Sequence, residues 1–140
     1  MTTRRQSLEQ QRADAAWKNV EAVKLEHQSK YGTLVRQLPA MIQMNGLGTT
    51  LAFLMAKGKI NAASKENKDN GHSLIFKHLS EWVLMQMGLG SKHKTLMDLV
   101  RNDEMDIYRQ ATREAIEYGI WLKRFVEAQD WGSVEGNVEP

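Results

Sequence analysis

The chain has 140 residues, the usual size of one domain, and its 41% hydrophobic and 26% charged residues are ordinary for a globular protein. It contains no cysteine, which excludes disulfides, thiol nucleophiles and cysteine-ligated metal sites. The net charge of +2 is too small to indicate a nucleic-acid-binding protein by itself, and no apolar run is long enough to predict a membrane span. We therefore expect a cytoplasmic protein that does not contact the membrane.

Helix-forming residues fill most of the chain. Only two prolines occur, Pro39 and Pro140, and nowhere do apolar and polar residues alternate for long enough to predict a half-buried strand. The sequence therefore predicts an all-α fold, a compact bundle of about five to six helices, in a single domain over residues 1–140.

The first predicted helix begins at Ser7, because Ser7 and Gln10 have the spacing of a capping box. Apolar and small residues then recur at intervals of three and four from Ala13 to His27, which indicates one buried stripe. The pair Tyr31-Gly32 is predicted to interrupt this pattern. The second helix contains Pro39 and is predicted to bend there.

Glycines mark the next helix boundaries. Asn45-Gly46 is predicted to form a corner that opens the third helix, and Gly88 to end a fourth helix over residues 73–87. Residues 57–71 contain few bulky side chains and are predicted to form a mobile loop.

Two further helices complete the predicted bundle. A short one covers residues 96–100 and is closed by Asn102-Asp103, and a long one covers residues 105–128. Residues 130–140 are predicted to form a flexible tail in which Trp131 alone docks on the domain.

No pattern of residues predicts catalysis. Serine, histidine and aspartate occur without the spacing of a nucleophilic triad. His78 and Glu81 lie three apart on a predicted helix, but a helical metal site needs further inward carboxylates. The residues from Gly88 to Lys92 lack the spacing of a phosphate loop and the strand that precedes one. We predict no catalytic residue, no metal and no cofactor, and hence no enzyme.

Basic residues are unevenly distributed. Residues 1–70 carry eleven Lys and Arg against six Asp and Glu, whereas residues 71–140 carry eight against eleven. Lys57, Lys59, Lys92 and Lys94 lie near predicted helix ends, and if these ends meet on one face they form a surface able to contact phosphates without reading sequence. The alternative, that these lysines are simply solvated, stays open on the sequence alone.

Two tryptophans are candidates for contact with another subunit. Trp17 and Trp121 lie beside the apolar stripes of their predicted helices rather than within them. Because large aromatic side chains are enriched at protein interfaces, we predict that these two contact a neighbouring subunit.

Four segments together resemble a known family. They are residues 37–47 (QLPAMIQMNGL), 50–54 (TLAFL), 108–115 (YRQATREA) and 121–125 (WLKRF). In order, spacing and total length they are similar to the Cmr-type small subunit of type III-B CRISPR RNA-guided effector complexes. The resemblance covers nearly the whole chain, although residues 58–71 match no part of the pattern.

The resemblance implies a non-catalytic helical subunit that takes part in antiviral defence. It implies several copies stacked beside the subunits that hold the guide RNA, with other Cmr subunits, guide RNA and target RNA as partners. The resemblance does not indicate which basic residues contact RNA, but we add Lys123 and Arg124 to the candidate nucleic-acid-binding residues because they lie within the last matched segment. The alternative function is protein–protein scaffolding by a helical subunit that touches no RNA.

Overall fold

The computed structural model describes residues 7–60, 69–129 and 131. The helices, in chain order, are α1 (Leu8–Glu21), α2 (Leu25–Asn45), α3 (Leu47–Gly58), α4 (Gly71–Met87), α5 (Leu96–Asn102) and α6 (Met105–Gln129). These described ranges contain no β-strand, so the predicted all-α bundle of five to six helices is confirmed. None of the described helices has a stretch long and apolar enough to cross a membrane.

Local sequence signals explain where four helices begin or end. The Ser7 hydroxyl accepts a hydrogen bond from the Gln10 N–H at 3.1 Å, and the Gln10 side chain accepts one from the Ser7 N–H at 2.9 Å, which confirms the capping box. Gly46 (φ 92°) separates α2 from α3, and Gly88 (φ 71°) ends α4 in the left-handed conformation. Glycine adopts these positive φ angles without steric cost.

The predicted interruption at Tyr31-Gly32 is wrong. The break lies earlier, between Glu21 and Leu25, and Tyr31 and Gly32 are buried within α2. The glycine serves packing, because a Cβ atom at position 32 would lie 3.3 Å from Cγ1 of Val126 on α6. Gly32 thus permits close approach of two helices and does not end one.

The predicted loop and tail fall partly on residues that the structure does not describe. Lys57 and Gly58 belong to α3, and α4 begins at Gly71, where the Asn70 side chain accepts a hydrogen bond from the Ser73 N–H at 2.9 Å. Residues 61–68, 130 and 132–140 lie outside the described part of the chain. Trp131 packs edge-on against Tyr31, with ring centroids 6.3 Å apart.

Helix α6 organises the packing, because it contacts α1, α2 and α4. It runs antiparallel to α2, so that Gly32 faces Val126 near one end and Gly119 faces Leu38 and Pro39 further along. Pro39 lies inside α2, as predicted. The largest fully buried side chains are Tyr31, Leu38, Ile42, Leu47, Leu51, Leu54, Ile75, Leu79, Leu96, Leu99, Tyr118 and Leu122.

A buried carboxylate joins three of the helices. Glu114 on α6 accepts two hydrogen bonds from the Arg12 guanidinium of α1, at 2.7 and 2.8 Å, and one from the Trp82 indole N–H of α4, at 2.7 Å. The Trp82 ring stacks on Tyr118, with centroids 5.2 Å apart, and the Tyr118 hydroxyl accepts a hydrogen bond from Asn19. The hydrogen bonds to Glu114 raise the pKa of Arg12, so the guanidinium stays charged at neutral pH.

Replacing Glu114 by glutamine should destabilise the fold by about 2–3 kcal/mol, because the half-buried Arg12 guanidinium then lacks its charged partner. Glutamine has nearly the same volume, so the loss reports charge and not packing. The measurement is urea unfolding followed by circular dichroism. As a control, Glu127→Gln on the exposed face of α6 should change stability by about 0.5 kcal/mol or less. Equal effects of the two variants would contradict the central role of Glu114.

Two glycine-to-alanine variants should have opposite effects. A Cβ atom at Gly58 would lie 2.9 Å from the backbone nitrogen of Ser73, so Gly58→Ala should push α3 from α4 and cost about 1–3 kcal/mol. A Cβ atom at Gly119 would make only ordinary contacts, the nearest 3.4 Å from Leu38, and Gly119→Ala should stabilise α6 by about 0.5–1 kcal/mol. Thermal unfolding of both variants measures the difference, and a stabilised Gly58→Ala variant would contradict the close α3–α4 contact.

Candidate nucleic-acid and subunit interfaces

Lys57 and Lys59 lie together at the C-terminal end of α3, and both are exposed. A positive charge at this end interacts favourably with the helix dipole. Lys59 follows the last residue of the helix and adopts φ 55° and ψ 43°, the left-handed conformation that favours glycine. Among the described residues it is the only non-glycine with a positive φ. The position thus keeps a lysine where backbone energetics favour glycine.

Lys92 and Lys94 lie in the turn between α4 and α5, but their surroundings differ. The Lys92 ammonium is 3.1 Å from one carboxylate oxygen of Asp103, and His93 Nε2 is 3.1 Å from the other. Although burial opposes the shift, these hydrogen bonds lower the pKa of Asp103 below its usual range. Asp103 therefore largely neutralises Lys92 within the chain and also closes α5, whose last residue is Asn102.

Lys94 is exposed and lines an open groove of about 240 Å³ along α4. Ile60, the residue after Lys59, lines the same groove, so this edge of α4 brings the α3 end and the α4–α5 turn towards each other. Asp69 and Glu81 also line the groove, which makes its charge mixed rather than uniformly basic.

Lys123 and Arg124 form a separate pair in the C-terminal half of α6. Arg124 is exposed and its guanidinium is 3.6 Å from the Glu127 carboxylate one turn later, while Lys123 is half-buried. No hydrogen bond or ion pair within the described ranges links these two residues to the α3 end. The six predicted basic residues therefore belong to three structural elements, namely the end of α3, the α4–α5 turn and α6.

The two predicted interface tryptophans are brought together by Phe125. Its ring lies edge-on to Trp17 of α1 at 5.2 Å between centroids, and 5.5 Å from Trp121 one turn earlier on α6. Trp17 remains 39% exposed and Trp121 half-buried. The result is an aromatic cluster, Trp17–Phe125–Trp121, that is open to solvent on the α1–α6 seam.

The histidine singled out as a possible metal ligand is used inside the core. His78 Nδ1 lies 2.8 Å from the Tyr31 hydroxyl, and burial lowers the pKa of His78 to about 4, so the ring is neutral. Glu81 is exposed and takes no part in this contact. In the part of the chain that the structure describes, no three His, Asp or Glu side chains are arranged to hold a metal ion.

Sequence reasoning missed two basic residues near Lys57. Lys30 on α2 and Lys57 both lie close enough to His72 on α4 to lower its pKa, after the larger effect of burial, where three helices meet. The separations of Lys30 and His72 from Lys57 along the chain, 27 residues before it and 15 after it, carry no local signal. Only the packing of α2, α3 and α4 brings them together.

Comparison with known proteins gives a consistent result. The family model described as "CRISPR-associated protein (Cas_Cmr5)" matches residues 8–129, which include all six helices. A protein of Thermus thermophilus, "CRISPR system Cmr subunit Cmr5", is 30% identical over 117 residues, covering 83% of this chain and 90% of the relative. Both findings confirm the resemblance predicted from the four sequence segments.

Proposed function

Because the chain belongs to the Cas_Cmr5 family of CRISPR-associated proteins, we propose that it is the non-catalytic small subunit of a type III-B (Cmr) RNA-guided effector complex. In this role it assembles with the other Cmr subunits in the cytoplasm, stacks in more than one copy beside the guide-RNA backbone, and contributes to antiviral defence. The observation that carries the proposal is the family match across the whole helical bundle.

Direct contact with guide and target RNA is supported by exposed lysines at helix ends. Lys57, Lys59 and Lys94 are exposed, and no ion pair to a described carboxylate involves them. Such residues contact phosphates and position a strand, while guide–target base pairing reads the sequence. The left-handed conformation of Lys59 is further support, because strained backbone is often retained where a side chain serves function.

The remaining basic candidates rank lower. The charge of Lys92 is engaged by Asp103, and that of Arg124 is shared with Glu127. Lys123, which is half-buried, contributes to an RNA surface only if the strand passes along α6. We therefore place the main RNA contact at the α3 end.

The absence of catalysis in this proposal is supported by the use of the buried polar groups. Glu114 binds Arg12 and Trp82, and His78 binds Tyr31. The structural role of each group inside the bundle accounts for its burial without a catalytic one.

The second candidate function, scaffolding without RNA contact, is favoured by the aromatic cluster Trp17–Phe125–Trp121. An exposed cluster of large rings is typical of the centre of a protein interface. We propose this cluster as the contact to a neighbouring subunit or a second copy of the chain. The two functions are compatible, and measurements of RNA binding and of assembly separate them.

Replacing Lys57 and Lys59 together by glutamine should weaken RNA binding by the assembled complex to a similar extent for all target sequences, since both residues contact phosphates. The slope of log affinity against log salt should become shallower by about 0.7 for each single-strand phosphate that the variant no longer neutralises. Titration of the purified complex with labelled target RNA at several salt concentrations measures both effects.

The matched control is Lys18→Gln, because Lys18 is an exposed lysine whose charge is paired with Asp14 at 3.0 Å. Its salt slope should equal that of the unmodified complex. An unchanged slope in the Lys57/Lys59 variant would remove these two lysines from the RNA surface. Failure of the chain to crosslink to photoreactive guide or target RNA in the complex would leave scaffolding as its function.

Replacing Trp17 by alanine should weaken assembly with partner subunits by about tenfold or more, because exposed tryptophans at interface centres contribute most of the binding energy. Co-purification and sedimentation of the reconstituted complex measure the loss, with circular dichroism to verify folding. Leu25→Ala is the control, since Leu25 is 83% exposed and lies outside the cluster. Equal assembly of the two variants would show that the cluster is not an interface.

A further inference from the structure

Three basic side chains from three helices meet on one surface. Lys30 of α2 lies across the start of α4, where a Cβ atom at Gly71 would be 2.7 Å from Lys30 Cγ. The carbonyl oxygen of Lys57 is 3.5 Å from the side-chain amide of Asn70, so the end of α3 also touches the start of α4. His72, one residue into α4 from Gly71, is close to both lysines.

The His72 ring is held in place by packing. It lies edge-on to Phe53 of α3, with ring centroids 5.5 Å apart, and is half-buried. Among the described residues it forms no hydrogen bond or ion pair with another side chain. The imidazole nitrogens therefore have no bonding partner among the described side chains.

The charges of Lys30 and Lys57 are not neutralised by the described part of the chain. The basic residues in described ion pairs are Arg12, Lys18, His27, Lys92, His93 and Arg124. Burial, and then the charges of Lys30 from α2 and Lys57 from α3, lower the pKa of His72. Asp69, two residues before α4, is a carboxylate that acts on His78. His72 therefore lies in a positive potential that a bound anion would relieve.

We propose that Lys30, Lys57 and His72 form a binding site for one backbone phosphate of an RNA strand, and that His72 takes up a proton from solvent when the phosphate binds. The identity of the anion rests on the proposed RNA contact. Lys30 and His72 are not part of that contact, and neither is the coupling of phosphate binding to protonation of His72. The exposed Lys59, two residues after Lys57, lies where it can contact a neighbouring phosphate of the same strand.

Proton uptake follows from the charges. A phosphate anion beside the ring stabilises the imidazolium, so the pKa of His72 is higher in the bound state than in the free state. The linkage is reciprocal, and RNA affinity rises as pH falls from the bound pKa to the free pKa. Outside this pH range, RNA affinity does not change with the protonation of His72. Within it, each unit of difference between the two pKa values gives about a tenfold change in affinity.

The test is proton NMR of the histidine rings in the full chain, titrated between about pH 5 and pH 8 without ligand and with a single-stranded RNA oligonucleotide. RNA should raise the pKa of His72 and leave His78 unchanged, because His78 is enclosed with Tyr31 in the core. Affinity measured by fluorescence anisotropy should fall as pH rises through the same window. His72→Gln should abolish this pH dependence.

Lys57→Gln gives a second measurement that does not depend on the folding of the His72 variant. Removing one like charge should raise the pKa of His72 in the free chain and shrink the further rise caused by RNA. Lys77→Gln is the matched control, since Lys77 is an exposed lysine of α4 that is not among the groups acting on His72. Lys77→Gln should change neither the pKa of His72 in the free chain nor the rise in this pKa caused by RNA.

Parallel titrations with inorganic phosphate and with an acidic polyglutamate peptide identify the source of the anion. A rise in the pKa of His72 with RNA and with phosphate supports the proposal. A rise in this pKa with the peptide but not with RNA overturns the proposal in favour of an acidic protein partner. RNA binding without any change in the pKa of His72 also overturns it, while leaving the proposed RNA contact intact. Absence of RNA binding to the chain, together with absence of RNA crosslinking in the complex, overturns both.

Discussion

The buried carboxylate of Glu114 is the constraint on which the arrangement of the helices depends. A charge in this position is costly unless it is paired and hydrogen-bonded, and Arg12 and Trp82 meet both conditions from two other helices. These contacts fix the positions of α1, α4 and α6 relative to one another along their axes. Because the stacked ring of Tyr118 and the Asn19 side chain continue the contact, α1 is held by directional bonds as well as by its apolar stripe.

The parts of the fold that could be predicted from the sequence are those specified locally. The capping box at Ser7 and the left-handed glycine at Gly88 involve residues within one helical turn, so their spacing in the sequence is sufficient. The packing function of Gly32 cannot be predicted from local sequence, because it is set by Val126, which is 94 residues away. A glycine that permits helix contact and one that ends a helix look alike until the partner helix is known.

In the candidate site, too, local features could be predicted from the sequence and long-range contacts could not. Charge and position near helix ends were sufficient to select Lys57, Lys59 and Lys92, but not to separate a free cation from a paired one. Asp103 reaches Lys92 only because α5 turns the chain back, and His72 approaches Lys57 only because α3 packs on the start of α4. The aromatic cluster was partly predictable, since Trp17 and Trp121 lie off the main stripes, whereas the bridging ring between them required the packing of α1 on α6.

The described side chains differ in whether they have hydrogen-bonding partners within the chain, and this difference explains why function is expected at the surface of the protein. Most described side chains with a shifted pKa, including Tyr31, His78, Asp103 and Tyr118, have a hydrogen-bonding partner within the chain. His72 is different, because its pKa is lowered by burial and by two lysines and no described side chain bonds to it. A folded chain gains nothing in stability by placing two lysines beside an imidazole whose protonation they oppose. A bound anion would relieve this repulsion, which agrees with the RNA contact that we propose.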